Sequence, residues 1–281
     1  MSTFLPEALR LDVGRKFQWK LFFIVWAATM IGVVAVVPYT LTLQSAALAT
    51  ANLPMPLPLL LALQMAQNAV IMAIAVGLGL FLAARIGLGL PFIEGWLNKQ
   101  PIWETLPRIA LIAVGLGVIG GGLIIALDVV VFAGPMADTL KAFGVHIPAS
   151  SNPPAWQGLL ASFYGGIAEE VQLRLLVMTL LAWLGRLISR TDDNRPTAAV
   201  VWIANILAAI LFGLGHLPAT AGMGIPLTAM VITRAVVLNG LFGVIAGWLY
   251  QRWGLEAAMI SHFSGDIVVH VILPLLGAMA A

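Results

Sequence analysis

The feature that most constrains this chain is the return, from one end to the other, of apolar runs about as long as a bilayer is thick. A membrane-crossing helix needs about 20 mainly apolar residues. Such runs lie near Leu21–Leu43, Leu59–Ala84, Ile109–Phe132, Trp156–Ile188, Ala198–Leu217, Leu227–Tyr250 and Leu255–Leu276. Only 9% of residues are charged, against roughly 25% in a soluble domain, so a soluble fold could not hydrate this surface. With 61% hydrophobic residues and a mean hydropathy of +1.01, the expectation is a single all-α transmembrane domain over residues 1–281, with a core inside the bilayer.

Between the second and third runs, Leu88–Leu97 is too short to cross and carries Pro91, Glu94 and Trp96, which predicts an interfacial segment. The fourth run is long enough to bend, and Gly165-Gly166 marks where it would break or admit a close neighbour. Arg10, Arg15, Lys16 and Lys20 precede the first run, which is too long for the apolar core of a signal peptide although Ala47-Leu48-Ala49 imitates a cleavage site. They predict a cytoplasmic N-terminus. Arg85, Lys99, Arg108, Arg186, Arg190, Arg195 and Arg252 then fall on the same side, as expected for a multi-pass protein of a bacterial or archaeal plasma membrane. The net charge of +2 therefore reports orientation among membrane lipids, and a nucleic-acid partner is not expected. With no cysteine there is no disulfide, thiolate metal site or cysteine nucleophile.

A charge inside a span costs at least about 2.5–3.5 kcal/mol on insertion scales and is a functional candidate by default. Three groups stand out. Glu169-Glu170-Val171-Gln172-Leu173-Arg174 lies deep in the fourth run. Glu170 and Arg174 have the favourable i,i+4 spacing and can neutralise each other. Glu169 points about 100° around the helix and stays available as a base. Phe212-Gly213-Leu214-Gly215-His216 ends the fifth run, where Pro218 disfavours further helix. Phe212 reads as packing on the same face as His216. His262, Asp266 and His270 share one helical stripe about 12 Å long. Asp128 and Arg234 lie in the third and sixth runs without a neighbour that defines a chemistry. Each group also has a plainer reading, as a buried ion network or a polar helix seam.

Glu-Glu-x-x-x-Arg, Phe-x-x-x-His and His-x-x-x-Asp, in that order on three apolar helices, resemble the CAAX endopeptidase and bacteriocin-processing family, CPBP or Abi. The resemblance covers a catalytic core over residues 155–275. It implies a polytopic helical bundle of about seven to eight helices around an intramembrane polar cavity. It also implies a glutamate-type endopeptidase acting on a peptide or protein, lipidated or not. Type II CAAX prenyl endopeptidases remove the last three residues of a prenylated C-terminus, while bacterial relatives are linked to bacteriocin maturation or immunity. Carried over by motif, Glu169 and His216 activate a water while His262 and Asp266 stabilise the oxyanion. Glu170, Arg174 and Phe212 support them. Prenyl endopeptidases usually have Asn where Asp266 stands, and an ionised carboxylate cannot donate a hydrogen bond. Asp266 is thus either a neutral acid or a group that orients His262.

No His-Glu-x-x-His helix is present, and neither a metal nor another cofactor is expected. Drawn on straight helices, His216 falls near the outer end of its span and His262 near the inner end of the last. They meet only if helices tilt, break or re-enter, and the uncharged segment Pro218–Pro226 suits re-entry. Two other functions share these residues. A transporter or proton relay also buries Glu, Asp, His and Arg, and an inert immunity protein would use the cavity only to bind.

Overall fold

The computed structural model describes residues 7–146, 148 and 151–280. Six helices among them are long and apolar enough to cross a membrane: α1 (Trp19–Leu43), α2 (Leu57–Ile86), α4 (Leu106–Ala142), α6 (Ala198–Gly222), α7 (Ala229–Trp253) and α8 (Leu255–Gly277). A short helix, α3 (Pro91–Leu97), follows α2. The charge-bearing fourth run forms α5 over residues 155–186, without a break in its helical backbone. There is no strand among the described residues beyond one isolated bridge, Arg190 to Pro196. The chain is an all-α, multi-pass integral membrane protein.

Two boundaries differ from the sequence expectation, each for a local reason. The helix of the fifth run does not stop at Pro218. His216 closes one helical stretch, and Pro218 opens the next one, Leu217–Gly222, in the first turn, where its missing N–H has no partner to lose. The third span runs on past Phe132 through a π-helical turn, Asp128–Phe132. Arg234 on α7 grips Asp128 there with two nitrogens at 2.7 and 2.6 Å. These two intramembrane charges neutralise each other across helices.

The short helix α3 is wedged against the bundle, with Phe92, Glu94 and Gly95 buried and Trp96 facing out. Its exposed N-terminal N–H groups explain why. Phe92 and Ile93 donate to Glu256 Oε1 at 3.0 and 2.9 Å, so the first turn of α8 caps α3. Glu94 receives Arg15 from the N-terminal segment at 3.0 Å.

The same end of the bundle is laced together by arginines donating to backbone oxygens. Arg195 reaches Leu11 and Gly87, and Arg186 reaches Arg85. The basic side chains that set the expected orientation thus also hold this end shut, satisfying carbonyls that helix ends leave open.

Inside the bundle, α8 lies against α4, α5 and α7. Lipid offers no hydrophobic driving force, so close packing depends on small residues that let backbones approach. A Cβ on Gly121 of α4 would stand 2.8 Å from the Gly265 oxygen of α8 and 3.0 Å from Val268, whereas one on Gly122 would meet nothing within 4 Å. Gly121→Leu should therefore separate α4 from α8 and cost about 1–3 kcal/mol, while Gly122→Leu should be neutral. Thermal melts of the two variants in detergent check this pair, and equal midpoints would contradict the packing.

Candidate active site

Over Tyr164–Glu169 and Val171–Met178, α5 widens into π turns. Such turns are rare and concentrate at functional sites. They present Glu169 and Glu170 to the same imidazole. Glu170 is fully buried, and its Oε1 lies 2.7 Å from His262 Nδ1 and 3.1 Å from Arg174 Nη1. Arg174 Nη2 donates to the Gly243 oxygen of α7 at 3.0 Å. The Arg174–Glu170 contact is close but not aligned as a hydrogen bond, and Glu170 Oε2 has no hydrogen-bond partner among the described residues. The short hydrogen bond is therefore the one to His262. The spacing in the sequence reveals only the Arg174 half of this arrangement.

The bond to Glu170 fixes the ring of His262, and the second nitrogen then faces two more carboxylates. Nε2 lies 3.7 Å from Glu169 Oε2 and 3.7 Å from Asp266 Oδ1. His270 Nε2 stands 4.0 Å beyond Asp266, and its Nδ1 meets the Tyr39 hydroxyl at 3.2 Å. Gly165 makes room for this crowding, since a Cβ there would run into Asp266 Oδ2 and sit 3.3 Å from His262 Nε2. The glycine pair of the fourth run thus marks a close approach, and α5 bends its hydrogen bonding without breaking.

Phe212 of α6 joins the remaining motif to this centre. Its ring stacks edge-on against His216 at 4.9 Å and His262 at 5.5 Å between centroids, and Arg174 covers it at 4.8 Å. His216 and His262 are therefore linked through one aromatic ring, while His216 Nδ1 bonds to the Phe212 oxygen at 2.9 Å. The two imidazoles do not need to touch, which removes the conflict that straight helices suggest.

A cavity of about 430 Å³ opens in front. Glu169, Phe212 and His216 line it, with Tyr164 and Gln172 beside them, whereas His262 and Asp266 stand behind Glu169 and not on its wall. The opposite wall comes from α1 and α2, where the sequence reading found only hydrophobicity, and contributes Gln44, Gln64 and Asn68. A signal was present, because Gln64 and Asn68 are four apart in a mainly apolar helix and so share a face. Among the described residues, no group of three or more His, Asp or Glu is arranged to hold a metal ion.

Residues 151–268 match the family model described as Type II CAAX prenyl endopeptidase Rce1-like. No curated protein and no solved structure matches the chain.

Two substitutions separate geometry from stability at this centre. Gly165→Ala should disturb Asp266 and His262 and remove function while the bundle still assembles. Glu170→Gln should lower the melting midpoint as well, because removing one member of a buried ionic cluster typically costs about 3–5 kcal/mol. A Glu170→Gln protein that melts with the wild type would refute the central place given to this carboxylate.

Proposed function

We propose that this chain, a member of the CPBP/CAAX protease family through residues 151–268, is an intramembrane endopeptidase that uses Glu169 and His216 to activate water. The observation that carries the reading is that a glutamate and a histidine from separate motifs face one intramembrane cavity, while the third motif backs the same glutamate.

Peptide hydrolysis needs a base for the attacking water and a donor for the oxyanion. Glu169 takes the proton of a water held between it and His216, and the water oxygen bonds to the scissile carbonyl carbon. The carbonyl oxygen becomes the oxyanion, and His262 and Asp266, set back from the cavity wall before substrate enters, stabilise it when the bound peptide draws it toward them. Collapse breaks the C–N bond, and the proton on Glu169 passes to the departing amine. Glu170 holds His262 by Nδ1, so that Nε2 keeps its direction toward the reacting groups. Arg174 and Phe212 brace this arrangement. The N-terminus lies in the cytoplasm, in keeping with the basic end of the bundle. The substrate is a membrane-embedded or lipid-associated peptide, and the chemistry uses no metal.

One further observation favours the competing proton-relay reading. From His262 the polar contacts continue through Asp266 and His270 to Tyr39. A relay would need a membrane gradient and would leave peptides intact.

Purified protein should cleave peptides in detergent, and Glu169→Gln should abolish cleavage with no loss of melting midpoint. A Glu169→Gln variant that still cleaves would remove the assignment, and cleavage lost to a chelator and restored by zinc would reassign it to metal chemistry.

Asp266 gives a second test. If it donates a hydrogen bond as a neutral acid, Asp266→Asn should retain activity within about tenfold, while Asp266→Leu should lose about 10²–10³ in rate. Rates measured across pH 6–9 at matched expression decide, and two equally dead variants would end the oxyanion role.

A further inference from the structure

A second cavity, of about 570 Å³, opens at the basic end of the bundle. The end of α2 and the start of α6 contribute to its wall, whereas the catalytic cavity takes the opposite ends of the same two helices. Along α2, Asn68 of the first cavity and Ile86 of the second are about 27 Å apart. The two spaces are therefore separate, and the catalytic residues give the second one no role.

Its charge is of the opposite kind. Arg10, Arg195 and Arg252 line it, and Asp193 is the one acid in the described lining. Arg195 is held in place, paired with Asp193 at 3.0 Å and donating to the Gly87 and Leu11 oxygens, and a Cβ on Gly87 would run into its guanidinium. The acid is thus already matched inside the wall. Arg10 stands exposed beside the Leu11 anchor, and Arg252 comes from the last turn of α7. No second acid lines the cavity with these two cations.

Toward the bilayer the wall turns apolar. Trp248 lies one turn deeper along α7 than Arg252, Val201 lies one turn inside the start of α6, and Leu88 adjoins them in the lining. Arginine presents phosphate with a planar fork of donors, and tryptophan favours the depth of lipid headgroups. A soluble phosphate would use the arginines and leave the apolar wall bare. An acyl-bearing phosphodiester uses both, and basic pockets between helices at the cytoplasmic surface suit such headgroups.

We propose that this cavity is a binding site for an anionic phospholipid, with the phosphate held by Arg10 and Arg252 and the acyl chains leaving along Trp248 and Val201. The bound lipid ties the N-terminal segment to the end of α7. This role is independent of the proteolytic reading.

The test titrates the full-length protein in a neutral detergent with three probes and follows the melting midpoint. The probes are a short-chain phosphatidylglycerol, a phosphatidylcholine of the same chain length, and glycerol phosphate, which lacks acyl chains. Phosphatidylglycerol should raise the midpoint at the lowest concentration. Equal stabilisation by phosphatidylcholine overturns the proposal, and equal stabilisation by glycerol phosphate overturns the lipid in favour of a soluble phosphate. Arg10→Gln, at an exposed position, should weaken the apparent affinity for phosphatidylglycerol by about fivefold, with Arg10→Lys restoring most of it. Asp193→Asn should strengthen it, since the guanidinium of Arg195 then lacks its matching acid. Each variant is compared with its own lipid-free midpoint, so a change in intrinsic stability is not mistaken for a change in binding. An Arg10→Gln protein that binds phosphatidylglycerol like the wild type overturns the proposal, as does a wild type that none of the probes stabilises.

Discussion

A carboxylate that cannot reach water organises this protein. Glu170 is fully buried, and a lone ionised acid at that depth would carry a desolvation cost of several kcal/mol. It is tolerated because one oxygen faces both an arginine from its own helix and an imidazole from the last. That shared oxygen fixes α8 against α5, and Arg174 extends the tie to α7 through the Gly243 carbonyl. The site thus belongs to the packing of the bundle and is not an addition to it. His262 holds one direction because Glu170 does, and Glu169 and Asp266 meet at its far nitrogen because Gly165 leaves them room.

The basic end and the interior of the bundle are held by different physics. At the basic end, arginines close carbonyls left open by helix termini, and Glu256 caps α3. Within the bilayer, small residues bring backbones together, as at Gly121. The cavity sits where neither device operates, with amides and aliphatic side chains lining a space between α1, α2, α5 and α6.

The helical spans were legible from apolar length alone, because the bilayer imposes one dimension on every run. The i,i+4 partners Glu170 and Arg174 could be read for a similar reason, since a single helix dictates them. What the sequence could not show is contact between helices. Nothing in its local pattern says that Glu170 also holds His262, that Arg234 reaches Asp128, or that Tyr39 meets His270. Periodicity also assumes 3.6 residues per turn, and α5 departs from it over Tyr164–Met178, the stretch in which Glu169 and Glu170 meet the two nitrogens of one imidazole. At Pro218 the sequence shows the close of one helical stretch at His216 but not that a second, Leu217–Gly222, opens directly on the proline in its first turn.

The order of the motifs along the chain has a consequence for biosynthesis. Glu170 and His262 are 92 residues apart, and at about 5–20 residues per second the ribosome needs on the order of 5–20 s to supply the second after the first. Throughout that interval α5 must enter the membrane carrying a buried acid whose imidazole partner does not yet exist. Arg174, made almost at once and one turn along the same helix, accompanies Glu170 as a self-contained neutral pair. The arginine therefore acts as an internal escort during insertion, and the histidine arrives later to a carboxylate already delivered to its depth.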